Sequence, residues 1–102
     1  MTRILGVDPG LTRCGIGVID LGRSRKTTLV FFDVIQSPKT ADLDARIGSI
    51  GDNLEKVIAK FNPDVIAIER VFSQQNLSSV MGTAQVAGVA IFLAHKYKIP
   101  MA

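Results

Sequence analysis

The stretch "ILGVDPGLTRCGIGVID", from Ile4 to Asp20, decides the fold of this chain. Two short apolar runs flank the pair Pro9-Gly10, which is typical of a tight turn, so the stretch predicts two antiparallel strands. An acidic residue, Asp8, stands where the first strand ends and the turn begins. An Asp before Pro-Gly is also a common turn former, so its position alone leaves open whether this carboxylate has a chemical role.

The rest of the chain predicts one more strand, a helix, a strand and a second helix. The run 27–37 is β-branched and aromatic, which favours a strand, and apolar residues spaced by three and four over 43–61 predict an amphipathic helix. The run "DVIAIE", 64–69, is apolar throughout and is expected to be a strand buried on both faces. A second helix is predicted over about 77–97.

A strand–helix–strand crossover should place the fourth strand parallel to a neighbour already in the sheet. We therefore expect an α/β fold in one domain, 1–102, with a mixed sheet: a three-strand antiparallel meander, one parallel strand and flanking helices. The segment Ile99–Met101 looks like the start of a further strand, so we expect the domain to be incomplete.

Composition excludes several classes of protein. With 47% hydrophobic residues in 102, the chain is too apolar for a disordered tail, and no apolar run approaches the roughly 18 residues of a membrane span. A single cysteine, Cys14, excludes an internal disulfide and favours a cytoplasmic location. The net charge of +3 is only modest evidence for a nucleic-acid partner.

Two acids end neighbouring strands if the predicted topology holds. Asp8 ends the first strand and Glu69 the fourth, so both would lie at the edge where open α/β sheets bind ligands. Close carboxylates require a shared proton or a hard cation such as Mg²⁺, and two such ions can activate water for phosphodiester hydrolysis. The alternative for Glu69 is a surface ion pair with Arg70.

The segments "GVDPGLTRCGIGVID" and "DVIAIERVFSQQN" resemble the RuvC family of Holliday-junction resolvases, the crossover junction endodeoxyribonucleases, over essentially the whole chain. The resemblance implies a ribonuclease-H-like fold and a homodimeric, Mg²⁺-dependent endonuclease, with Mn²⁺ as a substitute. Such an enzyme nicks opposing strands of a four-way DNA junction in recombination and repair, together with RuvA and RuvB. Asp8 and Glu69 match the family's first two catalytic, metal-binding acids.

The family carries two further metal-binding positions on a helix near its C-terminus. The resemblance therefore implies that these 102 residues are an N-terminal portion, ending before the last strand and that helix. We expect such a polypeptide to hold metal poorly and to cleave little.

The resemblance also implies contacts with DNA around Phe72, which matches an aromatic residue that stacks on or unstacks bases. Polar neighbours favour an exposed Phe72, although packing in the core is the alternative. The candidate DNA-binding residues are Phe72, Arg70, Arg13, Gln75 and Asn76.

The second helix is small or apolar nearly all round, so one face should pack on the sheet. The resemblance implies that another face forms a dimer contact. This chain has Gly82 and Ala87 near positions where the family usually has Lys and Arg, which argues against DNA contact there. The candidate dimer residues are Val80, Ala84, Ala87, Gly88 and Ile91.

Two other classes of function remain open. An ATP-binding domain of the actin and sugar-kinase type begins with a similar Asp-x-Gly hairpin, but Leu11 stands here where those proteins usually have Thr or Ser. A non-catalytic DNA-binding or dimerisation module is the other alternative.

Overall fold

The computed structural model describes residues 1–69 and 77–102, with side chains of the second helix described from Ser79 onward. The predicted order of elements is confirmed, and a short 3-10 turn at Arg23–Arg25 joins the second and third strands. The strands and helices are β1 Thr2–Asp8, β2 Arg13–Leu21, β3 Thr27–Gln36, α1 Leu43–Phe61, β4 Val65–Ile68 and α2 Leu77–Lys96.

The four strands form one mixed sheet in the order β3-β2-β1-β4. β1 and β2 pair antiparallel, with Asp8 opposite Gly15, and β2 pairs antiparallel with β3. β4 runs parallel to β1, with Leu5 aligned with Ile66. The expected parallel strand is confirmed, and it lies directly beside the strand that carries Asp8.

The core lies on one face of the sheet. Every second residue of β1 and β2 points to this face, and both helices cover it. The opposite face receives no helix in the described part of the chain. The principal core residues are Leu5, Val7, Cys14, Ile16, Val18 and Ile66 of the sheet, Ile50, Leu54 and Ile58 of α1, and Val86, Ala90, Leu93 and Ala94 of α2.

The expectation that β4 is buried on both faces is wrong. Only Ile66 is buried, while Val65, Ala67 and Ile68 remain partly exposed. The reason is that α1 and α2 both pack on the same face, so the apolar residues of β4 that point the other way are left uncovered. An all-apolar strand therefore borders an open groove.

The ends of the helices follow the sequence signals. α1 ends at Phe61, and the capping residue Asn62 adopts a left-handed conformation (φ 47°) and donates its backbone N–H to the Ile58 carbonyl at 2.9 Å. After α2 the chain returns to the sheet, where Met101 forms a parallel bridge with Ile66. The predicted start of a strand at Ile99–Met101 is thus confirmed as a bridge. No helix within the described ranges is long and apolar enough to span a membrane.

Hydrogen bonds of Arg3 stabilise the edge of the sheet remote from Asp8. Its guanidinium donates to both carboxylate oxygens of Asp20, at 2.8 and 3.0 Å, and to the Phe61 carbonyl at 3.1 Å. The backbone N–H of Arg3 donates to Asp64 at 2.7 Å. The hydrogen bonds and the charge of Arg3 lower the pKa of Asp20. Asp20 and Asp64 therefore have a structural role at this edge of the sheet. Asp8 and Glu69 lie at the opposite edge.

Candidate functional site

The parallel pairing of β1 with β4 brings Asp8 and Glu69 to the same edge of the sheet. The pairing aligns Val7 with Ile68, and the Glu69 N–H then donates to the Val7 carbonyl at 3.0 Å. Glu69 is thereby fixed next to the end of β1, and both acids are exposed. The position that the sequence predicts for these two carboxylates is confirmed.

The two carboxylates interact directly. A side-chain hydrogen bond with Asp8, followed by the negative charge of Asp8 and by partial desolvation, raises the pKa of Glu69. The ionised form of Glu69 is therefore disfavoured beside Asp8, because two nearby negative charges repel one another. A divalent cation bound between them would remove this repulsion, and carboxylate oxygens are the ligands that Mg²⁺ prefers.

Among the described residues, no group of three or more His, Cys, Asp and Glu side chains could hold a metal ion. Within residues 1–69 and 77–102, the pair of Asp8 and Glu69 is a candidate for metal binding because it brings two carboxylates together at one edge of the sheet. Its donor set is of the right chemical kind for a hard cation, but it leaves most of the coordination sphere to water and substrate oxygens.

Two glycines shape the surroundings of Asp8. A Cβ atom on Gly10 would lie 2.3 Å from the Arg13 carbonyl oxygen, so only glycine fits the tight turn between β1 and β2. A Cβ atom on Gly15 would lie 3.5 Å from the Asp8 Cβ and 3.9 Å from its Oδ2. A larger side chain at Gly15 would therefore cover the carboxylate, and glycine keeps it accessible.

The acidic pair lies at the end of an open groove of about 580 Å³ on the face of the sheet that the helices leave uncovered. The floor of the groove is made by glycine and apolar residues, and Phe32 on its side is 67% exposed. The groove is lined, besides the two acids, by Gly6, Val7, Gly15, Ile16, Gly17, Phe32, Val34, Ala67 and Ile68.

Of the residues predicted to contact DNA, the structure describes Arg13. It is exposed at the start of β2, two residues before Gly15, on the hairpin that carries Asp8. Sequence reasoning missed that Arg13 shares a cavity with Lys39 and Arg46, because the sequence places Arg46 simply on the polar side of a helix. The predictions for four residues lie outside the described residues: Arg70, Phe72, Gln75 and Asn76.

The candidate dimer residues divide between the two sides of α2. Ala84 and Gly88 are exposed and Ile91 is 48% exposed, whereas Val80 is half-buried. Ala87 is largely buried within the chain, which leaves little of its side chain for a partner, and the predicted dimer contact stays a prediction. Met81 and Phe92 are also exposed, so the outer side of α2 carries an apolar strip within the described residues.

Comparison with known proteins identifies the family of the chain. The family described as crossover junction endodeoxyribonuclease RuvC matches residues 4–102. The crossover junction endodeoxyribonuclease RuvC of Leifsonia xyli subsp. xyli is 47% identical over 100 residues, which cover 98% of this chain and 48% of that protein. Its counterpart in Clavibacter michiganensis subsp. michiganensis is 52% identical over 89 residues, 87% of this chain and 44% of that protein.

Among solved structures, Thermus thermophilus RuvC in complex with a Holliday junction substrate superimposes with a TM-score of 0.89 at 24% identity. The match covers 99% of this chain and 61% of that chain, and it confirms the predicted ribonuclease-H-like architecture. The chain spans about half the length of the curated relatives it matches. With a family match over residues 4–102 and relatives about half identical, this chain belongs to the crossover junction endodeoxyribonuclease RuvC family.

Proposed function

We propose that the protein is a Mg²⁺-dependent endonuclease that resolves four-way DNA junctions, with Asp8 and Glu69 as metal ligands. The observation that carries the proposal is the pairing of β1 with β4, which places these carboxylates so close that Asp8 raises the pKa of Glu69. Family membership supports the reaction class, and the solved Thermus thermophilus relative holds a Holliday junction substrate.

The chain's own residues would hold the metal rather than transfer protons. Asp8 and Glu69 would bind as carboxylates, and the hydrogen bond from the Glu69 N–H to the Val7 carbonyl fixes their relative position. Gly15 keeps the space beside Asp8 free for the DNA backbone. When bound, the metal supplies an activated water and stabilises charge on the oxygens of the phosphodiester.

With two acids at the site, we expect these 102 residues to hold metal weakly and to cleave little. We propose that the complete site holds two Mg²⁺ ions, for which Mn²⁺ can substitute. A pair of ions normally needs more carboxylates than the two found at this edge of the sheet. The missing ligands would come from the part of the relatives' length that this chain does not span.

Cleavage of both strands of a junction calls for two active sites related by a two-fold axis, so we propose a homodimer. The exposed apolar strip of α2 is the candidate contact, because it is uncovered in the single chain. Junction-binding and branch-migration proteins RuvA and RuvB are proposed as further partners, in the cytoplasm, for recombination and repair.

The proposal is tested by substituting the acids one at a time in the complete protein. Asp8→Asn and Glu69→Gln should each lower the rate of junction nicking in Mg²⁺ by more than about 100-fold, since loss of a ligand should cost more than loss of its supporting contacts. Binding of the junction should survive. Asp52→Asn on the exposed side of α1 is the matched control and should nick at the normal rate. Full activity of Asp8→Asn would refute the assignment.

Metal binding can be followed separately on the 102-residue chain. Mn²⁺ is paramagnetic, so titrating it should broaden the amide resonances of Val7, Asp8, Gly15 and Glu69 before others. Broadening that is unchanged in Asp8→Asn would argue against this metal site. A rise in melting temperature with ATP would instead support the alternative of an ATP-binding domain.

A further inference from the structure

A second cavity, of about 610 Å³, lies at the same edge of the sheet as Asp8, on the side of the helices. It is bounded by the β1–β2 turn, the segment after β3, the start of α1 and the start of α2. Three of its lining residues are basic, Arg13, Lys39 and Arg46, and none is acidic. We propose that this basic pocket binds a phosphate group of a nucleic-acid backbone, apart from the one that is cleaved.

Arg46 is held in place by neutral partners. Its Nε donates to the Ser37 hydroxyl and its Nη2 to the Thr12 hydroxyl, both at 3.1 Å. The Ser37 hydroxyl donates in turn to the Leu11 carbonyl, and Ser37 is buried. These bonds fix the orientation of a half-buried guanidinium without neutralising its charge. Since a guanidinium has five N–H donors, others remain for a ligand.

Among the described residues, no carboxylate forms an ion pair with the basic groups of the pocket. In the described ranges the ion pairs are Arg3–Asp20 and Lys96–Glu55, and neither involves a residue of the basic pocket. The segment 70–76 contains no Asp or Glu that could pair with it. Asp42 and Asp44, at the start of α1, do not line the cavity. Three like charges around a concave surface concentrate the potential and attract an anion.

The walls of the pocket are set by two close approaches. Gly10 closes the turn that leads to Thr12 and Arg13, because a Cβ atom there would lie 2.3 Å from the Arg13 carbonyl oxygen. Gly82 lets α2 approach the same turn, where a Cβ atom would lie 3.0 Å from the Leu11 Cβ. The cavity is thus built from packed elements, and Arg46 is the basic group whose position its hydrogen bonds fix.

The position of the pocket suits a phosphate near the scissile one. Gly10 follows Asp8 by two residues, so their Cα atoms are at most about 7 Å apart. The duplex rises about 3.4 Å along its axis per nucleotide of one strand, so a phosphate within one or two nucleotides of the scissile one lies at a comparable distance. A phosphate contact of this kind positions the backbone without reading its sequence. In this respect the inference rests on the proposed function, whereas the binding of a phosphate group does not.

Binding of four-way junction DNA to the 102-residue chain, measured by fluorescence anisotropy over a range of salt concentrations, tests the pocket. Lys39 is exposed and lies outside the helices and strands. Lys39→Ala should weaken binding several-fold, and the double variant with Arg46→Gln should weaken it about tenfold. The plot of log affinity against log salt should become less steep by about 0.9, the value for one phosphate contact. Lys56→Ala, exposed on α1, removes the same charge elsewhere and should leave the slope unchanged.

A second measurement does not depend on DNA. Titration of inorganic phosphate should shift the Arg46 Nε–H resonance and the amide resonances of Thr12 and Arg13 in the wild-type chain, and not in Arg46→Gln. Junction binding that is insensitive to both pocket substitutions would overturn the inference while leaving the proposed function intact. Phosphate shifts without any junction binding would keep the phosphate site and refute DNA as its source. Absence of both would overturn the pocket altogether.

Discussion

Two glycines of the same helix, Gly82 and Gly88, should respond in opposite directions to substitution by alanine. A Cβ atom at Gly88 would have nothing within 4 Å, so Gly88→Ala gains only the better helix propensity of alanine. That gain is about 0.8–1 kcal/mol in the free energy of unfolding. For a domain of this size, 1 kcal/mol raises the melting temperature by about 4–8 °C.

At Gly82 the same substitution meets the β1–β2 turn. The new Cβ would lie 3.0 Å from the Leu11 Cβ and 3.4 Å from its Cδ2, where carbon atoms normally stay about 3.5–4.0 Å apart. Overpacking of this kind costs about 1–3 kcal/mol, which exceeds the propensity gain of about 1 kcal/mol. Gly82→Ala should therefore lower the free energy of unfolding by up to about 2 kcal/mol.

Urea unfolding followed by far-ultraviolet circular dichroism measures both changes, at two protein concentrations so that self-association is noticed. Gly48→Ala on α1, where a Cβ also has open space, is a control for the propensity gain outside α2. If Gly82→Ala stabilises the chain as much as Gly88→Ala does, then α2 does not approach Leu11 as closely as described. The basic pocket would then lose one of its walls.

Three further results are expected. Arg3 lowers the folded-state pKa of Asp20 below its unfolded value. Asp20→Asn should therefore cost stability above about pH 4, and progressively less as the pH falls through the folded-state pKa. A difference in urea midpoint between wild type and variant that is the same at pH 7 and pH 3 would contradict this. Tyr97, the chain's single tyrosine, donates to Glu55 at 2.6 Å, which raises its pKa, so tyrosinate absorbance should appear at lower pH in Glu55→Gln than in the wild type. If α2 mediates dimerisation, Ile91→Asp should weaken self-association in sedimentation without lowering the stability of the monomer, because Ile91 is half exposed; a wild-type chain that stays monomeric at high concentration would exclude that contact.

Much of the fold was predictable because its signals are local. The Pro9-Gly10 turn and the Asn62-Pro63 stop each fix the end of an element through backbone geometry that few residues allow. The crossover rule predicted that β4 runs parallel to a strand already in the sheet, but β1 and β3 both had a free edge, so the pairing with β1 was left open until the structure showed it. The shared edge of Asp8 and Glu69 was therefore predicted only on the condition that β4 lies beside β1, which the structure confirms.

The faces of the elements were harder to predict. α2 is apolar nearly all round, so its sequence pattern does not distinguish Ala90, which is buried, from Ile91, which is half exposed. The prediction that β4 is buried on both faces was wrong for a related reason. An apolar strand suggests cover on both sides, but tertiary packing, which the local sequence does not specify, places both helices on one face. Arg46 shows a third limit, because its partner Thr12 lies 34 residues away in the chain and its partner Ser37 belongs to the segment after β3, so helix periodicity indicates neither contact.

The two sides of the Asp8 edge differ in a way that fits a single task. On the open side two acids repel one another, and on the helix side three basic residues have no acidic partner in the described chain. Each charge cluster weakens the fold slightly by itself, because like charges are held together. A phosphodiester backbone with its metal ions supplies both missing partners, anionic oxygens for the basic pocket and cations for the acids. If the pocket binds phosphate, junction DNA should stabilise the chain in Mg²⁺ more than Mg²⁺ or DNA does separately, and Asp8→Asn should remove only the metal-dependent part of that gain.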